Sequence, residues 1–201
     1  AARWEKFSRQ LSFGYLSPSL QVEPEKISAP HRYVGFSMQA VPQQIRDGIY
    51  ISRGTVSEGH GAYLLLNTVK ALEKLTVPAT VTCGGNSFAA SLLEKENFPA
   101  HIRICSYTNQ PALLAQSKVF VTHGGITGVR EALLSGTPML IIPANFPDYL
   151  TGRAIEHGHA GILIRRRPLD AEELCLKCME LLKNFDEYQA GTIRMAEELK
   201  S

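Results

Sequence analysis

The sequence predicts a doubly wound α/β domain built on a parallel sheet, and three observations carry that expectation. Strand-like and helix-like segments alternate from Asp47 to the end of the chain. Several of the strand-like segments, Val119-Phe120-Val121 and Met139-Leu140-Ile141-Ile142 among them, are short apolar runs without polar alternation. That is the pattern of strands covered on both faces. The chain has 201 residues, 44% of them hydrophobic and 20% charged, which is enough to bury one sizeable core.

Residues 1–45 are punctuated by Pro18, Pro24, Pro30 and Pro42 and carry little periodicity. They read as a connecting arm, with 1–10 as the tail of a helix and 11–16 and 32–36 as short strand candidates. Residues 46–201 read as the folded domain. Gly48-Ile49-Tyr50-Ile51-Ser52 is a strand candidate ending in Arg53-Gly54-Thr55, after which Leu64, Leu65, Val69, Leu72 and Leu75 recur at helical spacing. A strand over 79–83 closes in Gly84-Gly85-Asn86. A helix over 89–96, a strand over 102–105 and a short helix over 112–116 follow. Next come a strand over 119–122, a helix over 127–134, a strand over 139–142, a helix over 153–157 and a strand over 161–164. Asp170 caps a helix over 171–183, and a last helix ends the chain. In such Rossmann-like sheets ligands gather at the carboxyl ends of the strands. The candidate loops therefore follow Ser52, Cys83, Cys105, Thr122 and Ile142.

Composition excludes several function classes. The net charge is +2, and the only basic run is Arg165-Arg166-Arg167, so there is no nucleic-acid footprint. No apolar run approaches the roughly 20 residues of a membrane span, and no signal peptide is visible. Cys83, Cys105, Cys175 and Cys178 are too few and too scattered for a disulfide framework, so a reducing, cytoplasmic setting is expected. The opening Ala1-Ala2-Arg3-Trp4 lacks a methionine, as expected of a processed or excised piece.

The stretch Val119-Phe120-Val121-Thr122-His123-Gly124-Gly125 places a histidine and two glycines where a strand hands over to a helix. Without a Cβ, Gly124 and Gly125 let a ligand approach the backbone, and the first N–H groups of the helix point at it. The helix dipole adds partial positive charge, which makes an anion site most natural for phosphate. His123 can donate an imidazole N–H to the same anion, and Gly54-Thr55 supplies donors from a second loop. The alternative is a tight Gly-Gly turn beside a core histidine. Glu131, eight positions and about two helical turns further on, suits a ribose diol. Tyr107, in the Tyr107-Thr108-Asn109-Gln110 loop, suits stacking on a base.

With these elements in place the sequence resembles the donor-binding, C-terminal half of GT-B glycosyltransferases, in particular the UDP-glycosyltransferase family of macrolide and antibiotic type. The family pattern runs aromatic-x-Pro-Gln, an apolar strand, Thr-His-Gly-Gly, a Glu in the helix, Gly-x-Pro, and a Pro ahead of an acidic-Gln pair. Here it stands as Tyr107-Thr108-Asn109-Gln110, Val119 to Gly125, Glu131, Gly136-Thr137-Pro138 and Pro143, with Ile49 to Val56 like the first strand of that half. The likeness spans roughly residues 32–164.

The resemblance implies that His123, Gly124 and Gly125 bind the donor diphosphate, with Gly54 and Thr55 approaching from the opposite loop. Glu131, with Gln110 nearby, would hold ribose hydroxyls, and Tyr107, with Thr108, would meet the base. Thr127-Gly128 stands where the family has Asn-Ser, so Thr127 would donate to the diphosphate by hydroxyl and backbone. The acidic-Gln pair falls on Pro147-Asp148, and Asp148 would bind the donor sugar. Asn109 replaces the usual Pro. No catalytic residue is expected in this chain, because in the family an N-terminal acceptor domain supplies the histidine base. The arm at 1–45 would lead from that missing or separate domain. No cofactor is implied, the nucleotide sugar being a substrate, and without an Asp-x-Asp motif no metal is expected on the diphosphate. The implied partners are a nucleotide-sugar donor, a small-molecule or lipid acceptor, and an acceptor-domain chain or a second copy.

Three rival readings are less well supported. His-Gly-Gly also occurs in the oxyanion segment of esterases, and Gly85-Asn86-Ser87-Phe88-Ala89 is a degenerate nucleophile elbow, but the order of the two segments is reversed here. Cys175-Leu176-Lys177-Cys178 has CxxC spacing, yet it lies in a helical pattern with no second ligand pair. A binding subunit that needs a partner chain for activity differs from the main reading only in where the acceptor domain comes from. Trp4 and Phe7 on the arm would then meet that partner.

Overall fold

The computed structural model describes residues 12–14, 18–20, 31–33, 45–54, 59–165 and 168–200. Two short strands within residues 1–45, β1 (Ser12–Gly14) and β2 (His31–Tyr33), pair in parallel. They overlap the strand candidates at 11–16 and 32–36, the second at residues 32–33 alone. Residues 1–10, with Trp4 and Phe7, lie outside the described residues.

The main sheet comprises β3 (Ile49–Ser52), β4 (Ala79–Thr82), β5 (Ile102–Cys105), β6 (Val119–Thr122), β7 (Met139–Ile141) and β8 (Gly161–Leu163). All its pairings are parallel and the order is β5-β4-β3-β6-β7-β8. The chain builds outward from β3 to one edge, returns, and builds from β6 to the other. That leaves a crevice beyond the carboxyl ends of β3 and β6, where the winding reverses.

Helices α1 (His60–Leu72), α2 (Ser87–Glu94), α3 (Gln110–Gln116), α4 (Ile126–Ser135), α5 (Phe146–His157) and α6 (Ala171–Lys183) connect the strands, and α7 (Phe185–Lys200) closes the chain. Successive strand residues point to opposite faces, so each apolar strand feeds two cores. Ile49, Ile51, Val81, Val121 and Leu140 pack under α1, α2 and α6, whereas Tyr50, Phe120, Met139 and Ile141 pack under α4, α5 and α7.

Local side chains fix the helix starts. Asn86 accepts the Ala89 N–H (2.9 Å), Asn109 that of Ala112 (3.3 Å), and Asn145 that of Asp148 (2.9 Å). Asp170 accepts from Glu172 and Glu173 (2.9 and 3.3 Å). Each satisfies a donor that the first helical turn would otherwise leave bare. Helix α5 begins at Phe146, well before the 153–157 expected from the sequence. The reason is Pro147, which breaks a helix interior but suits its first turn, where no N–H is needed.

At the opposite end of the sheet Arg46 ties the start of β3 to the β6–β7 half. Its guanidinium donates to Leu114 O (3.0 Å), Ser117 O (2.9 Å), Thr137 Oγ1 (3.0 Å) and Ser135 O. Helix α7 lies directly on the turn between α5 and β8. A Cβ placed on Gly191 would fall 2.0 Å from the His159 carbonyl oxygen. His159 itself holds a left-handed φ of 57°.

Candidate functional site

A cleft of about 660 Å³ opens at the point where the winding reverses. Gly54, Tyr107, Thr108, Gln110, His123, Gly125, Thr127 and Glu131 all line it, so the structure brings together residues spread over nearly eighty positions. Thr55 lies outside the described residues. Gly124 sits just behind the lining with φ 93°, and a Cβ there would meet Ile141 Cγ2 at 2.9 Å and Asp148 O at 3.1 Å. Asp148 is not part of the lining. It is buried beneath the first turn of α5, where its carboxylate accepts the Ala144 N–H at 3.2 Å. Tyr107 stands on the rim, 78% exposed.

His123 is wedged between two glycines. A Cβ on Gly125 would lie 2.4 Å from its Nε2, and one on Gly54 would lie 3.0 Å from its Cε1. The imidazole therefore fills the space that two side chains would take, at the junction of the β3 and β6 loops. Its Nδ1 is buried and has no hydrogen-bond partner among the described residues. Burial, reinforced by the nearby Arg53 guanidinium and opposed by Asp148, pushes its pKa below the ordinary imidazole range. Helix α4 starts on Gly125 without a side-chain cap, so its first N–H groups face the cleft. A neutral imidazole beside bare helix donors is an arrangement that can donate to an anion.

The depressed pKa has a consequence for stability. The unfolded chain takes up the His123 proton first, near its usual value of about 6.5. Stability is therefore full above that pH and falls as pH drops toward the lower folded value. We expect urea midpoints of the native chain to decline on acidification from neutral pH, and a His123→Asn variant to decline less. Equal slopes would show that His123 titrates alike in both states.

On the other wall a polar network rises from the sheet. Tyr50, 1% exposed and stacked on Phe120 (5.0 Å between centroids), donates its hydroxyl to Gln110 Oε1 at 2.9 Å. The same hydroxyl lies 2.9 Å from Thr82 Oγ1. Gln110 in turn donates from Nε2 to Glu131 Oε2 at 2.5 Å. Tyr50, Ser52, Thr82 and Phe120 also line the cleft, and none was singled out as a site residue from the sequence. One signal pointed to Tyr50: a buried tyrosine in an otherwise apolar strand needs a partner for its hydroxyl.

Residues 87–201 match the family described as "Erythromycin biosynthesis protein CIII-like, C-terminal domain". The chain belongs to that family. Among relatives of this CIII-like domain is the "Uncharacterized UDP-glucosyltransferase YdhE" of Bacillus subtilis (strain 168), 27% identical over 188 residues, covering 92% of this chain and 44% of the relative. The "PGL/p-HBAD biosynthesis rhamnosyltransferase" of Mycobacterium bovis is 26% identical, covering 85% and 38%. The chain thus spans less than half the length of these relatives. In fold it is similar to "Spinosyn Rhamnosyltransferase SpnG complexed with thymidine diphosphate", with a TM-score of 0.77 and 22% identity over 94% of this chain and 52% of that one. The CIII-like domain therefore has the fold of the C-terminal half of GT-B glycosyltransferases.

The two cysteines with CxxC spacing lie on helix α6 of the CIII-like domain. Cys175 donates to Ala71 O at 2.8 Å, and burial pushes the Cys178 thiol up to about 12. Ser87 is the first residue of α2, behind the Asn86 cap. Among the described residues no cluster of His, Cys, Asp or Glu is placed to hold a metal ion, and no helix is long and apolar enough to cross a membrane.

Proposed function

We propose that this chain is the donor-binding half of a glycosyltransferase and holds a nucleoside diphosphate sugar, a UDP- or dTDP-hexose, in the cleft between β3 and β6. The observation that carries the reading is the wedging of His123 between Gly54 and Gly125 at the uncapped start of α4, with Glu131 two turns along the same helix. A diphosphate at the cradle would place the nucleoside toward Glu131 and Tyr107. The relatives' names support the reading, since they are a UDP-glucosyltransferase and a rhamnosyltransferase.

In the reaction an acceptor hydroxyl attacks the anomeric carbon with inversion. The bond to the diphosphate breaks, the diphosphate keeps the electron pair, and the hydroxyl proton passes to a base in an acceptor domain or partner chain. The donors at His123 and α4 stabilise the charge that grows on the leaving diphosphate. On its own this chain binds donor and transfers poorly or not at all. The acceptor is a small molecule or lipid.

Calorimetry with UDP-, dTDP- and GDP-sugars tests the proposal. At least one should bind, and His123→Ala should weaken it by roughly tenfold or more, the cost of a hydrogen bond to a charged group. No binding by any of them, or equal binding by the variant, would sink the reading.

A further inference from the structure

The network on the far wall of the cleft has one direction. Gln110 Oε1 can only accept, so the single Tyr50 proton points to it (2.9 Å). Thr82, 2.9 Å away, must then donate to the Tyr50 oxygen. The Gln110 amide, its carbonyl engaged by Tyr50, turns its NH₂ toward Glu131 Oε2. Every donor in the series points toward the carboxylate, and aligned hydrogen bonds of this kind polarise one another.

We propose that Tyr50 is a positioning residue for the sugar ring of a bound nucleoside diphosphate. Its hydroxyl anchors the carbonyl end of the Gln110 amide whose NH₂ holds Glu131 Oε2, and so aims the other Glu131 oxygen, Oε1, at the ligand's ribose hydroxyls. This rests on the reading of the cleft as a nucleoside diphosphate site.

The parts of the relay are unequally mobile. Tyr50 cannot move, being buried in β3 between two neighbouring strands and stacked on Phe120 at 12° between planes. Gln110 and Glu131 are only partly buried, on the first turn of α3 and the middle of α4. The rigid member thus orients the two flexible ones. Burial also raises the Tyr50 pKa, which keeps the proton on the hydroxyl. Without that hydroxyl the amide is held at its NH₂ end alone and can swing on its side chain, which leaves Glu131 without a fixed donor.

The test is calorimetry on the 201-residue chain with UDP and its 2′,3′-dideoxy analogue. Tyr50→Phe keeps the ring and its stack on Phe120. It should weaken UDP by about fivefold, the range of one neutral hydrogen bond, and the dideoxy analogue by less than about twofold. In a Glu131→Ala background, Tyr50→Phe should have no further effect on UDP, because the group it positions is gone. Thr82→Val should act in the same direction and stands in if Tyr50→Phe does not fold. Equal losses for both nucleotides, or full additivity with Glu131→Ala, would overturn the proposal. If the native chain binds neither of these and no dTDP- or GDP-sugar, the diphosphate reading falls as well; if it binds only one of those, the same variants are read on that nucleotide. If it binds UDP and His123→Ala weakens it while Tyr50→Phe changes nothing, only the positioning role falls.

Discussion

Gly125→Ala should cost the cleft at least as much ligand affinity as removing His123 altogether. The added methyl would stand 2.4 Å from Nε2 and 2.9 Å from Cε1 of the imidazole. A side chain normally escapes such a clash by rotating. Here Gly54 closes on the same edge of the ring, and a Cβ there would already lie 3.0 Å from Cε1. The imidazole must leave the junction, and the new methyl also covers the first N–H groups of α4. Both halves of the cradle fail together. We expect a loss of nucleotide-sugar binding on the order of a hundredfold, with a stability cost of about 1–3 kcal/mol from overpacking. Calorimetry paired with urea unfolding separates the two effects. Near-native binding in a folded variant would show that His123 does not hold the ligand.

The second large effect lies far from the cleft. Alanine at a glycine inside a helix ordinarily stabilises it, by about 1 kcal/mol. At Gly191 of α7 the sign should reverse. A Cβ would fall 2.0 Å from the His159 oxygen, 2.4 Å from its carbonyl carbon and 2.9 Å from the Gly158 oxygen. These are backbone atoms, held by a turn with a left-handed residue, and they cannot rotate aside. Helix α7 must lift from the α5–β8 turn and lose part of the packing of Met195, Ala196 and Leu199. We expect Gly191→Ala to destabilise by about 2–4 kcal/mol and to lower the melting temperature by on the order of 10 °C. An unchanged or higher melting temperature would refute the close approach.

Much of the molecule was legible before its structure because its signals are local. The apolar runs at 119–122 and 139–142 could be strands only if buried on both faces, and the sheet buries them so. His123, the paired glycines and Glu131 belong to one strand–helix unit, so a short window of sequence held their geometry. The failures have equally physical causes. Pro147 hid the true start of α5, because the residue that forbids a helix interior favours its first turn. The sequence also does not show that Asp148, in the first turn of α5, uses one carboxylate oxygen to accept the Ala144 N–H. Tyr50 lies in a strand as expected, but nothing near it in sequence reveals Gln110 sixty positions away as its partner. Register between distant elements is what a one-dimensional pattern conveys least.

The reversal of the winding also has a kinetic meaning. Strands β3, β4 and β5 follow one another, as do β6, β7 and β8, and each trio can be paired by short connections. The seam between them sets Ile49 against Val119, about 70 positions apart, so its closure carries the entropy of a long loop. The cleft exists only once that seam has closed, because His123 and Glu131 come from one trio and Gly54 and Tyr50 from the other. A molecule seated there spans both, and it binds the joined state alone. Ligand should therefore hold the two trios together by mass action, as a removable staple across the slowest-forming line of the sheet.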